Sequence, residues 1–189
     1  MTQQGKNAID LVLAESLIEL ALKQPIEKIT IKEITDKAGV IRPTFYNHFQ
    51  DKYELIEWII KTELLEPIKP LLNAGMIFEA IVLMLNNISA NSVFYKKALK
   101  LEGAVTFNQI AMKCVCEMFM NIISEKSTGK KSKYRWLTPE VISTYYAQSL
   151  CFITEGWIAQ GMDDIEPKEM AEAYMYLITR SMDDILSEL

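Results

Sequence analysis

The stretch from Thr30 to Lys52, TIKEITDKAGVIRPTFYNHFQDK, holds signals for two short helices and a tight corner between them. Thr30 and Glu33 have the spacing of a capping box, which predicts a helix that starts there and buries Ile31, Ile34 and Ala38. Gly39 supplies a residue that tolerates positive φ where that helix stops, and Val40 packs into the corner. A second helix is predicted to begin near Arg42 and Pro43, since proline suits a first helical turn. Two helices joined through a glycine-containing turn have the geometry of a helix-turn-helix, whose second helix can enter the major groove.

That second helix reads RPTFYNHF. Phe45 and Phe49 lie four apart and face the core together, which turns Arg42, Thr44, Tyr46, Asn47 and His48 toward its edges or the solvent. Arginine grips a guanine edge or a phosphate, threonine meets a base or a methyl group, and the other three reach phosphates or bases. Asp51 and Glu54 repeat the capping spacing and predict another helix, with Lys52 in its first turn, where a lysine suits a nearby phosphate better than the helix dipole. By themselves these residues fit either a DNA reader or an ordinary helical corner.

The Ala38-Gly39-Val40 turn, Thr44-Phe45-Tyr46, His48-Phe49 and Lys52 together resemble the DNA-binding domain of the TetR/AcrR family of transcriptional regulators, over about Asn7 to Trp58. The resemblance implies an all-α fold, with an N-terminal helix-turn-helix three-helix unit over residues 1–50 and a C-terminal helical regulatory and dimerisation domain over 51–189. Residues 51–65 would form the helix that connects them. It further implies a homodimer on a double-stranded DNA operator, with Thr30 and Lys52 as backbone contacts. Arg42, Thr44 and Asn47 would be base or phosphate contacts, and Tyr46 and His48 phosphate contacts. Lys6 would approach the backbone from the first helix. The chain departs from the family where Ile41 replaces the usual small hydroxyl residue before the reading helix, since isoleucine cannot cap.

Composition agrees with long helices, the sequence being half apolar and low in Pro and Gly. The net charge of −5 excludes indiscriminate coating of nucleic acid, while a specific reader needs only a local positive footprint. Cys114, Cys116 and Cys151 sit in apolar helical patterns without metal-ligand spacing, and an odd count suits a reducing cytoplasm. No secretory leader and no uninterrupted apolar run long enough for a bilayer is found, so a cytoplasmic protein away from membranes is expected.

Along the chain, Ile9, Leu13, Leu17, Leu20 and Ala21 mark the first helix, stopped by Pro25. The helix from Asp51 to about Leu65 is interrupted by Glu66-Pro67 and Pro70. Apolar helices are expected over 76–87 and 105–124, with a short turn or helix between them, and the basic segment from Lys126 to Arg135 reads as a solvated loop. Thr138-Pro139 and Glu166-Pro167 start the last two helices, Thr138 to Gly161 and Pro167 to Leu186. Their surplus apolar surface predicts a symmetric four-helix dimer interface with Trp157, Leu177, Ile178 and Met182 near its buried area.

An effector cavity is expected among Phe107, Cys114, Met118, Trp136, Tyr145 and Ser149, a mixture suited to a small, mostly apolar effector with a few polar contacts. The segment EGWIAQGMDDIEPKEMAEAYMYLI also resembles a subgroup that includes relatives of the dihydroxyacetone-kinase operon activator. That subgroup implies control by a protein co-regulator, whereas the wider family implies a ligand-responsive repressor. A helical protein-interaction scaffold that binds no DNA is the third reading. An enzyme is not expected: His48, the single histidine, already belongs to the reading stretch, and no phosphate loop, cofactor motif or metal set is present.

Overall fold

A computed structural model describes residues 3–126 and 132–188, with side chains described from residue 8. The described chain is helical. In order come α1 (Gln3–Ala21), a 3₁₀ turn (Ile26–Lys28), α2 (Ile31–Ala38), α3 (Arg42–Tyr46) and α4 (Lys52–Ile59), which runs on as a π-helical segment (Ile60–Leu65). They are followed by α5 (Lys69–Asn73), α6 (Ile77–Ala90), α7 (Ser92–Ala98), α8 (Phe107–Lys126), α9 (Pro139–Ala159), α10 (Pro167–Thr179) and α11 (Met182–Glu188).

The N-terminal unit forms as its end signals direct. Thr30 Oγ1 accepts from the Glu33 backbone N–H while the Glu33 carboxylate accepts from the Thr30 N–H, closing the capping box of α2. Gly39, at φ 68°, ends that helix in the left-handed conformation. Ile41 enters α3 in an extended conformation with no side-chain cap, as its chemistry requires. α1 packs on α2 and α4, and α2 on α3, around Leu13, Leu17, Ile34, Phe45 and Leu55, all fully buried.

In the C-terminal part α8 lies along α9, and α6 packs on α10. The apolar core runs without a break from the first helices to the last, so α4 and its extension are buried against both parts. Two polar contacts also join the parts: the Lys97 ammonium donates to the Leu22 carbonyl at the end of α1, and the Glu102 N–H donates to Glu27. No single described helix is long and apolar enough to cross a membrane.

Three features depart from the sequence reading. The connecting helix does not stay α-helical: the Glu66 N–H reaches back five residues to the Lys61 carbonyl at 2.8 Å, and the Asn87 amide of α6 donates to the Glu63 carbonyl. Glu54 does not complete a capping box at Asp51, because its carboxylate accepts from the Gln50 N–H instead. The final helix is broken at Arg180, which is extended, and restarts where Ser181 and Asp184 cap one another. The Lys126 to Arg135 segment lies partly outside the described residues, and so does the side chain of Lys6.

Candidate nucleic-acid interface and interior cavities

The residues before and along α3 form the exposed edge of the N-terminal unit. Phe45 and Phe49 are buried, and their rings tilt against one another with centroids 5.9 Å apart. This anchoring leaves Arg42, Pro43, Tyr46 and Asn47 exposed and Thr44 half-buried. Four of the residues expected to face DNA, Arg42, Thr44, Tyr46 and Asn47, therefore keep some or all of their surface available. Ile41, just ahead of them, is 68% exposed. In the sequence this residue registers only as a missing cap. An apolar side chain so exposed beside a reading helix is suited to a thymine methyl group. Lys28 and Lys32 are also exposed and make no ion pair among the described residues, so they join Arg42 as available cations of this unit.

The other three expected contacts are held by neighbouring groups of the protein, Thr30 while still exposed. α3 ends at Tyr46, so His48 falls in the turn beyond it, and its side chain is 3% exposed rather than solvent-facing. Its Nδ1 lies 2.6 Å from Asp10 Oδ1 of α1. The Lys52 ammonium donates to the carbonyls of Ile26, Glu27 and Ile29 at 2.9, 2.8 and 2.9 Å. All three donors are consumed in closing the 3₁₀ turn onto α4, and burial holds this ammonium below the usual lysine range. Thr30 donates its hydroxyl to Glu33, whose carboxyl is lowered to about 2, first by the Gln24 amide and then by Thr30. Their geometry sets the shape of the unit.

The six residues expected around one effector opening are dispersed. An apolar cavity of about 390 Å³ is lined from α5, α6, α8, α9 and α10 by residues that include Leu72, Ile81, Met118, Phe119, Tyr146 and Tyr174. Met118 is the one expected residue in its wall. Ser149 stands behind that wall, its hydroxyl 3.1 Å from the Tyr174 hydroxyl. Phe107 lines a second, smaller cavity of about 40 Å³. Cys114 is buried against α4, with Sγ 3.9 Å from the Glu57 carbonyl and its thiol pushed up to about 12 by burial. Trp136 and Tyr145 are 74% and 63% exposed and line neither space.

The expected dimer surface also needs correction. Trp157 is 2% exposed within a single chain and donates from Nε1 to the Ile165 carbonyl, so it belongs to the protomer core. Ile178 is half-buried and lines the larger cavity. Leu177 and Met182 are exposed, as expected of an interface. So is Phe152, at 76%, two turns of α9 beyond Tyr145; that seven-residue spacing on one face was readable in the sequence.

A helix-turn-helix with this exposed edge, carried on a helical body with an apolar cavity, defines a DNA-binding transcriptional regulator. Residues 15–59 match the family described as bacterial regulatory proteins, tetR family, and residues 76–180 match the transcriptional regulator C-terminal region of TetR proteins. The chain belongs to the TetR family. It is 26% identical over 152 residues to the HTH-type dhaKLM operon transcriptional activator DhaS of Lactococcus lactis subsp. lactis, covering 79% of each chain. Among solved structures it is similar to the dihydroxyacetone kinase operon activator DhaS, with a TM-score of 0.60 and 20% identity over 95% of each chain. It is also similar to NalD, the secondary repressor of the MexAB-OprM multidrug efflux pump in Pseudomonas aeruginosa, with a TM-score of 0.59 and 12% identity over 92% of this chain and 96% of that one.

Proposed function

We propose that this regulator is a ligand-responsive repressor that binds its operator as a homodimer. In this reading residues 1–50 hold the DNA, residues 51–189 sense and dimerise, and residues 51–65 connect the two. The apolar cavity of about 390 Å³ carries the reading, because that volume lies within the range of small-molecule sites and its wall is built from five helices of the sensing part. Arg42, Thr44, Tyr46 and Asn47, with Ile41 beside them, read and grip the duplex. Lys28 and Lys32 neutralise phosphates.

Occupancy of the cavity shifts α6 and α8, which both pack on the π-helical end of the connecting helix. A wide π turn is less strongly held than an α turn and is a natural place for that helix to adjust. The ligand then favours a spacing of the two DNA-reading units that does not match the operator. In the dimer, Tyr145, Phe152, Leu177 and Met182 are covered by the partner.

A second reading, an activator controlled by a protein co-regulator, is supported by the activator named among its relatives. The two are separated by selecting genomic fragments with the purified full chain, then measuring binding of the selected duplex with and without fractionated small metabolites. Release by a small-molecule fraction supports the repressor. Operator binding that responds only to a protein fraction supports the activator.

A further inference from the structure

The smaller cavity contains a chemical instruction that the larger one lacks. Tyr95, on α7, is fully buried, yet its hydroxyl has no hydrogen-bond partner among the described residues. The Thr154 hydroxyl of α9 is likewise shielded and unpartnered. Both residues line the same space of about 40 Å³. Two buried hydroxyls without a protein partner in one cavity call for a polar group between them. The space has room for a terminal group of a molecule and not for the molecule itself.

The two cavities adjoin, with Met84 and Leu150 contributing to both walls. We infer that they form one two-lobed site for a neutral lipophile, whose apolar body fills the larger lobe and whose terminal hydroxyl or carbonyl meets Tyr95 and Thr154. This rests on the ligand-responsive reading and specifies its ligand. An anionic end is disfavoured because Glu155 lines the same lobe, and burial, with Glu63 adding to it, holds the Tyr95 phenol well above its usual range. The phenol stays protonated and serves as a donor. Ile60, Leu64 and Leu65 of the π-helical segment also line this lobe, so the polar end touches the part of the connecting helix that can adjust.

The test titrates the full chain with 1-octanol, octanoate and toluene, following heat of binding and thermal shift, in wild type, Tyr95→Phe and Thr154→Val. Octanol is expected to bind wild type at least about tenfold more tightly than octanoate, and Tyr95→Phe to weaken octanol about tenfold while leaving toluene unchanged. Toluene binding together with octanol binding that is indifferent to both substitutions would overturn the two-lobed site and leave the larger cavity as a sensor. Binding of none of the probes would overturn the cavity reading as well.

Discussion

Asp10 of α1 holds His48 at 2.6 Å, carboxylate to imidazole Nδ1, with both side chains at least nine-tenths buried. The bond fixes the turn after α3 to the first helix, and so sets the angle at which the reading edge stands on its support. Asp10→Ala is expected to cost about 1.5–3 kcal/mol in urea unfolding, because the imidazole loses a charged partner in a shielded site. A cost within about 0.5 kcal/mol of zero would show that the contact does not hold the unit together.

Lys52 is expected to act as a structural clasp. Lys52→Met removes three bonds to backbone carbonyls and should lower stability by about 1–2 kcal/mol, an amount discounted for its partial exposure. The slope of log affinity against log salt should stay as in wild type, whereas Arg42→Ala should reduce it by about one. A reduced slope for Lys52→Met in a folded protein would return Lys52 to the phosphate contacts.

Ile41→Ser supplies the missing cap of α3. Stability should rise by about 0.5–1 kcal/mol, and the preference for the selected operator over other duplexes should fall as an exposed methyl surface is lost. Competition binding with mismatched duplexes measures the second effect, and unchanged preference would remove Ile41 from base contact.

The local signals were legible because their partners are near in sequence. Thr30 with Glu33, and Gly39 after Ala38, need only a few residues of context to be read. The partners of Lys52 and His48 were not legible for the opposite reason: they lie 23 to 38 residues away, and helical periodicity reports which face is apolar without saying which polar side chain crosses back into the core. Trp157 has the same pattern whether it packs within one chain or between two. Ser181 with Asp184 repeated the capping signature, but apolar residues on either side carried the expected helix through the break. The π-helical segment left no signal in IKTELL, since hydrogen-bond register there is set by the neighbouring helices. The cavities were scattered relative to expectation because the same Met and aromatic residues fill a dry core or line an opening, and only packing decides.

Glu33 gives a pH signature. Its carboxyl is lowered from the usual 4.5 to about 2, so the capping contribution is complete above 4.5 and is lost as pH falls through about 2. Thermal unfolding from about pH 6 down to about pH 2 should show wild type and Glu33→Gln converging as the acid is protonated. A melting difference that is constant over that range would mean that the carboxylate charge has no part in the cap.

The dimer should depend on Phe152 and Leu177 and tolerate a conservative change at Trp157. Phe152→Glu and Leu177→Glu each place a charge in the covered surface and should give folded monomers by sedimentation. Trp157→Phe should lose stability, through the lost Ile165 bond and a poorer fit, while remaining dimeric. Dimers that persist in both glutamate variants would place the interface elsewhere.

The central claim is that a molecule in the interior cavity weakens operator binding, and it is tested most directly by one titration. The duplex selected from genomic fragments is bound to the full chain in the absence and presence of the metabolite fraction that most raises its melting temperature. The expected result is an operator Kd at least about tenfold higher with the fraction present, corresponding to a coupling of about 1.4 kcal/mol or more. A fraction that stabilises the protein yet leaves operator affinity unchanged would contradict the account.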